Sequence, residues 1–234
     1  MGTETLPARS YRRFTVEEFQ RMYECGILPE SGVELWKGIV VDKRVSRKGE
    51  YPLHRFSRSD YYRMAEVGIL RPDERVELIE GAVLAMSPIG PRHGGCVKEL
   101  ARLFLPLSPD RAIISIQDPL HLETDQEPQP DVMLLKPRPD RYRKAHPRPT
   151  EVLLLIEVAD TTLNFDMGEK LALYAGAGIP EYWLFDLPGE RVLVHSEPVG
   201  DEYLRIRELR PPGSLAPMAF ADLAIDLAEV LAAW

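Results

Sequence analysis

The stretch QPDVMLLKPRPDRYRKAHPRPTEVLLLIEVADTTLNFDMGEKLALYAGAGIPEYWLFD, residues 129–186, decides the fold. It holds two apolar runs. The first, 132–135, follows Asp131; the second, 152–156, ends at Glu157. Residues 131–135 read as a short strand, and 151–159, continuously apolar, as a strand covered on both faces. Residues 164–178 read as a helix ending on glycine, and 181–186 as another strand. An acid after Pro130 fits a turn as well as a ligand, since Pro-Asp is a common junction. Glu157 is different. A carboxylate that ends an apolar strand is costly to bury unless it is paired, with Lys170 and Arg148 as candidate partners. If the strands are neighbours, Asp131 and Glu157 share a pocket and repel unless a cation lies between them. A hard divalent ion fits, because Mg²⁺ takes oxygen ligands and often only one or two protein carboxylates. Such a pair suits metal-assisted attack on a phosphodiester. Asp166, Lys170 and Tyr174 are spaced i, i+4, i+8, which places them along one helix face directed at the sheet.

Working outward, residues 93–107 read as an amphipathic helix, and 112–123 as a strand or bent strand pair. Residues 191–198 and 202–209 read as a hairpin-like pair, and 220–234 as a closing helix or strand plus helix. The order α-β-β-β-α-β predicts an α/β fold: a mixed β-sheet core flanked by helices, with a crossover helix before the last strand.

The N-terminal part is duplicated. RFTVEEFQRMYECGIL (13–28) matches RFSRSDYYRMAEVGIL (55–70) at 8 of 16 positions, and VELWKGIV (33–40) matches VELIEGAV (76–83) at 5 of 8. Each copy opens with a capping box, Thr15 with Glu18 and Ser57 with Asp60. Each then runs to a helix-ending glycine, Gly26 or Gly68, and on into a short strand. The polar stretch 42–52 reads as a linker. The expected organisation is an extension, 1–52, that is a degenerate copy of 55–86, followed by the main domain, 53–234.

Composition sets the outer bounds. The 234 residues are 44% hydrophobic and 28% charged, enough for a sizeable core. Two cysteines without a CxxC argue against a disulfide framework or structural zinc. No run is long enough to span a membrane, and the first ten residues lack the apolar core of a secretory signal, so a cytoplasmic protein is expected. The net charge of −8 opposes broad nonspecific nucleic-acid binding, although basic residues cluster at 136–144 and 191–210.

The motifs QDP (117–119), QPDV (129–132), LIEVAD (155–160) and DMGEKLALYAGAGIPEYWLFD (166–186), with RVELIEGAVLAMSP (75–88) and His93, resemble the PD-(D/E)XK nuclease superfamily. More closely, they resemble its Uma-two branch of restriction-endonuclease-like proteins. The resemblance covers about residues 55–230. It implies a metal-dependent endonuclease acting on DNA, with Asp131 and Glu157 as metal ligands, Mg²⁺ as the ion and Mn²⁺ as its alternative. In the superfamily the lysine usually follows the strand acid by two residues. Here that place is Ala159, so the resemblance assigns the lysine to the next helix, at Lys170. It also assigns a further acid to Glu77 rather than Glu80. The first copy keeps Glu34 but has Lys37 at the Glu80 position and no following strand acid, so it is not expected to form a second site.

His93 reads either as a helix cap or as a pocket residue, and Gln117 either as structural or as pocket-lining. Asp166 is a further pocket candidate. No GxSxG or phosphate-loop lysine occurs. A homodimer is suggested by analogy at the level of fold alone. The rival reading is a catalytically inactive nuclease-fold protein that works by binding a partner or nucleic acid. Metal binding would separate the two.

Overall fold

The structure is a computed structural model that describes residues 10–45, 52–107, 109–122 and 125–231. They fall into two compact units: Met1–Ser87 with Leu122–Pro128, and Pro88–His121 with Gln129–Trp234. Among the described residues, no helix is long and apolar enough to cross a membrane.

The first unit contains both copies of the repeat. Copy one is α1 (Val16–Glu24) followed by the hairpin β1 (Val33–Trp36) and β2 (Ile39–Asp42). Copy two is α2 (Arg58–Glu66) followed by β3 (Val76–Ile79) and β4 (Ala82–Ala85). Both predicted capping boxes form, and Gly26 and Gly68 close the helices with φ of 70° and 74°. The hairpins turn on Lys37-Gly38 and Glu80-Gly81, all four at positive φ, as tight two-residue turns require. Most of the predicted linker, residues 46–51, lies outside the described residues.

The copies exchange their leading segments. Tyr11 bridges to Leu84 of copy two, and Leu53 bridges to Val41 of copy one. The Arg12 amide donates to the Val83 carbonyl, and the His54 amide to the Val40 carbonyl, both at 2.9 Å. Equivalent residues then meet in one core: Phe14 and Phe56, Met22 and Met64, Ile27 and Ile69, Val40 and Val83. Each copy is a helix and a two-stranded hairpin, too little to bury an apolar face alone. Two copies cover each other.

The second unit is built on a six-stranded sheet with the order β10-β9-β8-β7-β6-β5. Its elements are α3 (Pro91–Phe104), β5 (Ile113–Ile116), β6 (Val132–Leu135) and β7 (Val152–Ala159), then the crossover, then β8 (Glu181–Asp186), β9 (Arg191–Val199) and β10 (Glu202–Leu209). The crossover comprises α4 (Leu163–Phe165), a π-helical turn at Asp166–Lys170 and α5 (Leu171–Gly176). Strands β7 and β8 are parallel, and every other neighbouring pair is antiparallel. The order α-β-β-β-α-β is therefore the one the sequence predicts. The chain ends in the small pair β11 (Ser214–Leu215) and β12 (Ile225–Asp226), with α6 (Leu227–Leu231).

Both faces of the central strands are covered, which is why β6 and β7 are continuous apolar runs. On one face Val132, Leu134, Leu154, Ile156, Trp183 and Phe185 pack with α3 and α6. On the other, Glu157 and Tyr182 face Tyr174 of α5. Two local expectations are corrected. His93 is not the helix cap: α3 starts at Pro91 with Gly90 as its N-cap, so His93 lies in the first turn. The segment 164–178 is not one regular helix, because the π-turn interrupts it.

Candidate functional site

The site lies in the second unit, where β6 begins and β7 ends. Val132 pairs with Ile156, so Asp131, one residue earlier, stands opposite Glu157 in the same antiparallel ladder. Ile116 pairs with Val132, and the Gln117 amide donates to the Asp131 carbonyl at 3.1 Å. Gln117 and Asp131, each one residue beyond its strand, thus continue the row Ile116–Val132–Ile156 by one step, beside Glu157 of β7. Side chains directly opposite in such a ladder have Cβ atoms about 4.5–5.5 Å apart, and like charges there repel.

Each carboxylate has its own set of donors. Asp131 Oδ1 lies 2.8 Å from His93 Nε2 and accepts from Gln117 Nε2 at 3.1 Å. Its Oδ2 accepts from the Val158 amide at 2.9 Å. Glu157 Oε1 accepts from Lys170 Nζ at 3.0 Å and from the Tyr174 hydroxyl at 2.6 Å. Asp131, Glu157, Asp166 and Lys170 are each at most 5% exposed.

These surroundings drive the two acids apart. Burial pushes the Asp131 carboxyl up, but the hydrogen bond and charge of His93, with Gln117 and the Val158 amide, outweigh it and hold the group below the usual aspartate value. For Glu157 burial dominates and leaves it well above the usual value. Lys170 and Tyr174 oppose that rise, while the charges of Asp131 and Asp166 add to it. Two neighbouring acids tuned in opposite directions mark a candidate functional site.

Local structure explains the positions. Gln117 has φ of 53°, a left-handed conformation uncommon outside glycine, and this turn at the end of β5 accompanies its reach to Asp131. In a regular helix, two successive i+4 steps drift about 80° around the axis. The wider π-turn takes up part of that drift, so Asp166, Lys170 and Tyr174 are all buried. Asp166 is tied at both ends: the Thr162 hydroxyl donates to its carboxylate, and its carbonyl accepts from the Tyr182 hydroxyl at 3.1 Å.

The structure therefore brings Asp131, Glu157, Lys170, His93 and Gln117 together and seats Asp166 on the same crossover. Lys170, not Arg148, is the cation on Glu157. Glu77 lies in the other unit, buried on β3, whereas Glu80 is an exposed residue of the hairpin turn. Tyr174 was missed as a site residue. Its i+4 spacing from Lys170 was the available signal, but a tyrosine on the inner face of a helix reads as core.

As a donor set, two carboxylates on adjacent strands offer oxygen ligands and no thiolate. This fits a hard ion with several waters rather than zinc. Among the described residues, no group of three or more His, Cys, Asp or Glu is gathered for a metal.

The family model described as "Uma2: Putative restriction endonuclease" matches residues 58–228, well over half of the chain. The chain belongs to this nuclease family. The match begins at α2 and leaves the first copy outside it. A solved structure described as a putative nuclease belonging to DUF820, from Anabaena variabilis ATCC 29413, is similar to this chain with a TM-score of 0.54 and 14% identity. The similarity covers 71% of this chain and 94% of that one. At that identity the likeness establishes the nuclease fold and no more. A comparison with curated proteins finds no match.

Proposed function

We propose that this protein is a Mg²⁺-dependent endonuclease that hydrolyses phosphodiester bonds in DNA, with Mn²⁺ able to replace Mg²⁺. The observation that carries this reading is the opposed pair Asp131 and Glu157, buried in one row with Lys170 on the second acid. A buried carboxylate pair is costly to maintain without a cation.

Asp131 and Glu157 would hold the ion, which when bound supplies positive charge at a phosphoryl oxygen and lowers the pKa of a water molecule. The chain's own residues do the rest. His93 and Gln117 fix the Asp131 carboxylate. Lys170 places an ammonium beside the pair, where it orients a water and faces the charge that develops on the phosphate. Glu77 is the further acid on the family motif alone. A homodimer would supply the two sites that a double-strand cut needs.

The test is cleavage of supercoiled and linear DNA by the wild type, Asp131→Ala, Glu157→Ala and Lys170→Ala, with Mg²⁺, Mn²⁺ or EDTA. Cleavage by the wild type alone, abolished by EDTA, supports the reading. Full activity of Asp131→Ala would refute the site. If the wild type cuts none of these substrates, the partner-binding alternative takes its place.

A further inference from the structure

We infer that Tyr174 is a positioning residue for Glu157, holding the carboxylate in place for a divalent cation independently of Lys170. This rests on the metal-dependent reading above and extends it to a residue outside the acid and lysine motif.

Tyr174 and Lys170 donate to the same atom, Glu157 Oε1, at 2.6 and 3.0 Å. The two donors differ in kind. Lysine is a flexible chain ending in a mobile point charge. Tyrosine has two side-chain torsions, and here the ring is fully buried and packs edge-on against Tyr182 with centroids 5.3 Å apart. A short hydrogen bond from a rigid phenol to a carboxylate is charge-assisted and directional. If Lys170 swings toward a phosphate during reaction, Oε1 keeps its second donor and the Glu157 rotamer is retained. Groups that orient metal ligands in this way typically change metal affinity about 10–100-fold when removed.

The π-turn places both donors. Lys170 is its last residue, and Tyr174 stands one regular helical turn further along in α5. Both then reach one oxygen of the strand below.

Calorimetric titration of the metal-free full chain with Mn²⁺ alone, without DNA, tests this. Tyr174→Phe removes one oxygen and keeps the ring. Tyr203→Phe is the control: it also removes a buried phenol hydroxyl from the sheet, one that donates to the Ile179 carbonyl at 3.0 Å. The expected result is roughly tenfold weaker Mn²⁺ binding for Tyr174→Phe and no change for Tyr203→Phe. Binding by Tyr174→Phe within about twofold of wild type overturns the inference, as does equal weakening by Tyr203→Phe. An absence of Mn²⁺ binding by the wild type overturns it together with the metal-dependent reading. Metal binding in the expected pattern without DNA cleavage leaves the inference standing and refutes only the endonuclease.

Discussion

Asp131 and Glu157 stand opposite one another one step beyond the Val132–Ile156 pair, at the open end of the ladder between β6 and β7. Like charges in this position destabilise a sheet, and both groups are buried. The conflict shows in the raised pKa of Glu157, which Lys170 opposes but does not cancel, so the behaviour of the site should change with metal and pH.

Removing either acid should lower metal-dependent cleavage by more than about 100-fold, because ligands should matter more than the groups that orient them. Circular dichroism should show an unchanged fold for Asp131→Asn. Activity of Asp131→Asn within tenfold of the wild type would contradict its role as a ligand.

Lys170→Met should destabilise the metal-free protein by about 3–5 kcal/mol at neutral pH, since it strands a buried carboxylate without its cation. The loss should shrink at acidic pH, where Glu157 takes up a proton. Urea denaturation at the two pH values measures this, and a penalty independent of pH would count against it.

Metal and pH should be linked. Burial raises the folded-state pKa of Glu157 above its ordinary value of 4.5. Between that value and the raised one, the folded protein binds the extra proton, so this group's contribution makes the metal-free protein less stable as pH rises. Asp131 acts oppositely. Its folded pKa is lowered, so its contribution is present above the ordinary aspartate value and is lost as pH falls through the lowered one. Stabilisation by Mg²⁺ should therefore grow with pH from the acid side. Melting temperatures with Mg²⁺ and with EDTA across this range would show it, and a constant difference would argue against a carboxylate site.

Gln117→Gly should separate stability from affinity. Glycine relieves the left-handed backbone at φ 53°, which offsets the lost hydrogen bond, so stability should stay within about 1 kcal/mol of the wild type. The hydrogen bond to Asp131 is lost, so Mn²⁺ binding should weaken. Thermal melts and calorimetry on one sample decide it; a parallel loss of both would point to a structural role.

Met22→Ala and Met64→Ala, both at fully buried equivalent positions, should each cost about 2–5 kcal/mol. Their effects should not add, because the two residues share one core. Chemical denaturation of the single and double variants measures the coupling.

Much of this was legible in the sequence, for identifiable reasons. The continuous apolar run announced β7 as a buried strand, and Glu157 stood out on it because burial penalises a carboxylate. The capping boxes and the glycines after α1 and α2 fixed both repeats. Other features were not legible. The π-turn is set by how the crossover packs on the sheet, and Asp166 to Tyr174 carry no local signal for it. The exchange of leading segments between the repeats depends on pairing of distant residues such as Tyr11 with Leu84. The bond from His93 to Asp131 joins positions 38 residues apart, which no periodicity encodes.

The exchanged repeats have a consequence for supply inside a cell. Two separate chains would have to find each other, and their pairing would rise and fall with expression. Joined by a short link, the second half sees the first at an effective concentration that can reach the millimolar range. Occupancy of that interface then no longer depends on dose. Phe14 and Phe56, their ring centroids 6.0 Å apart, are then permanent neighbours whatever the amount of protein made.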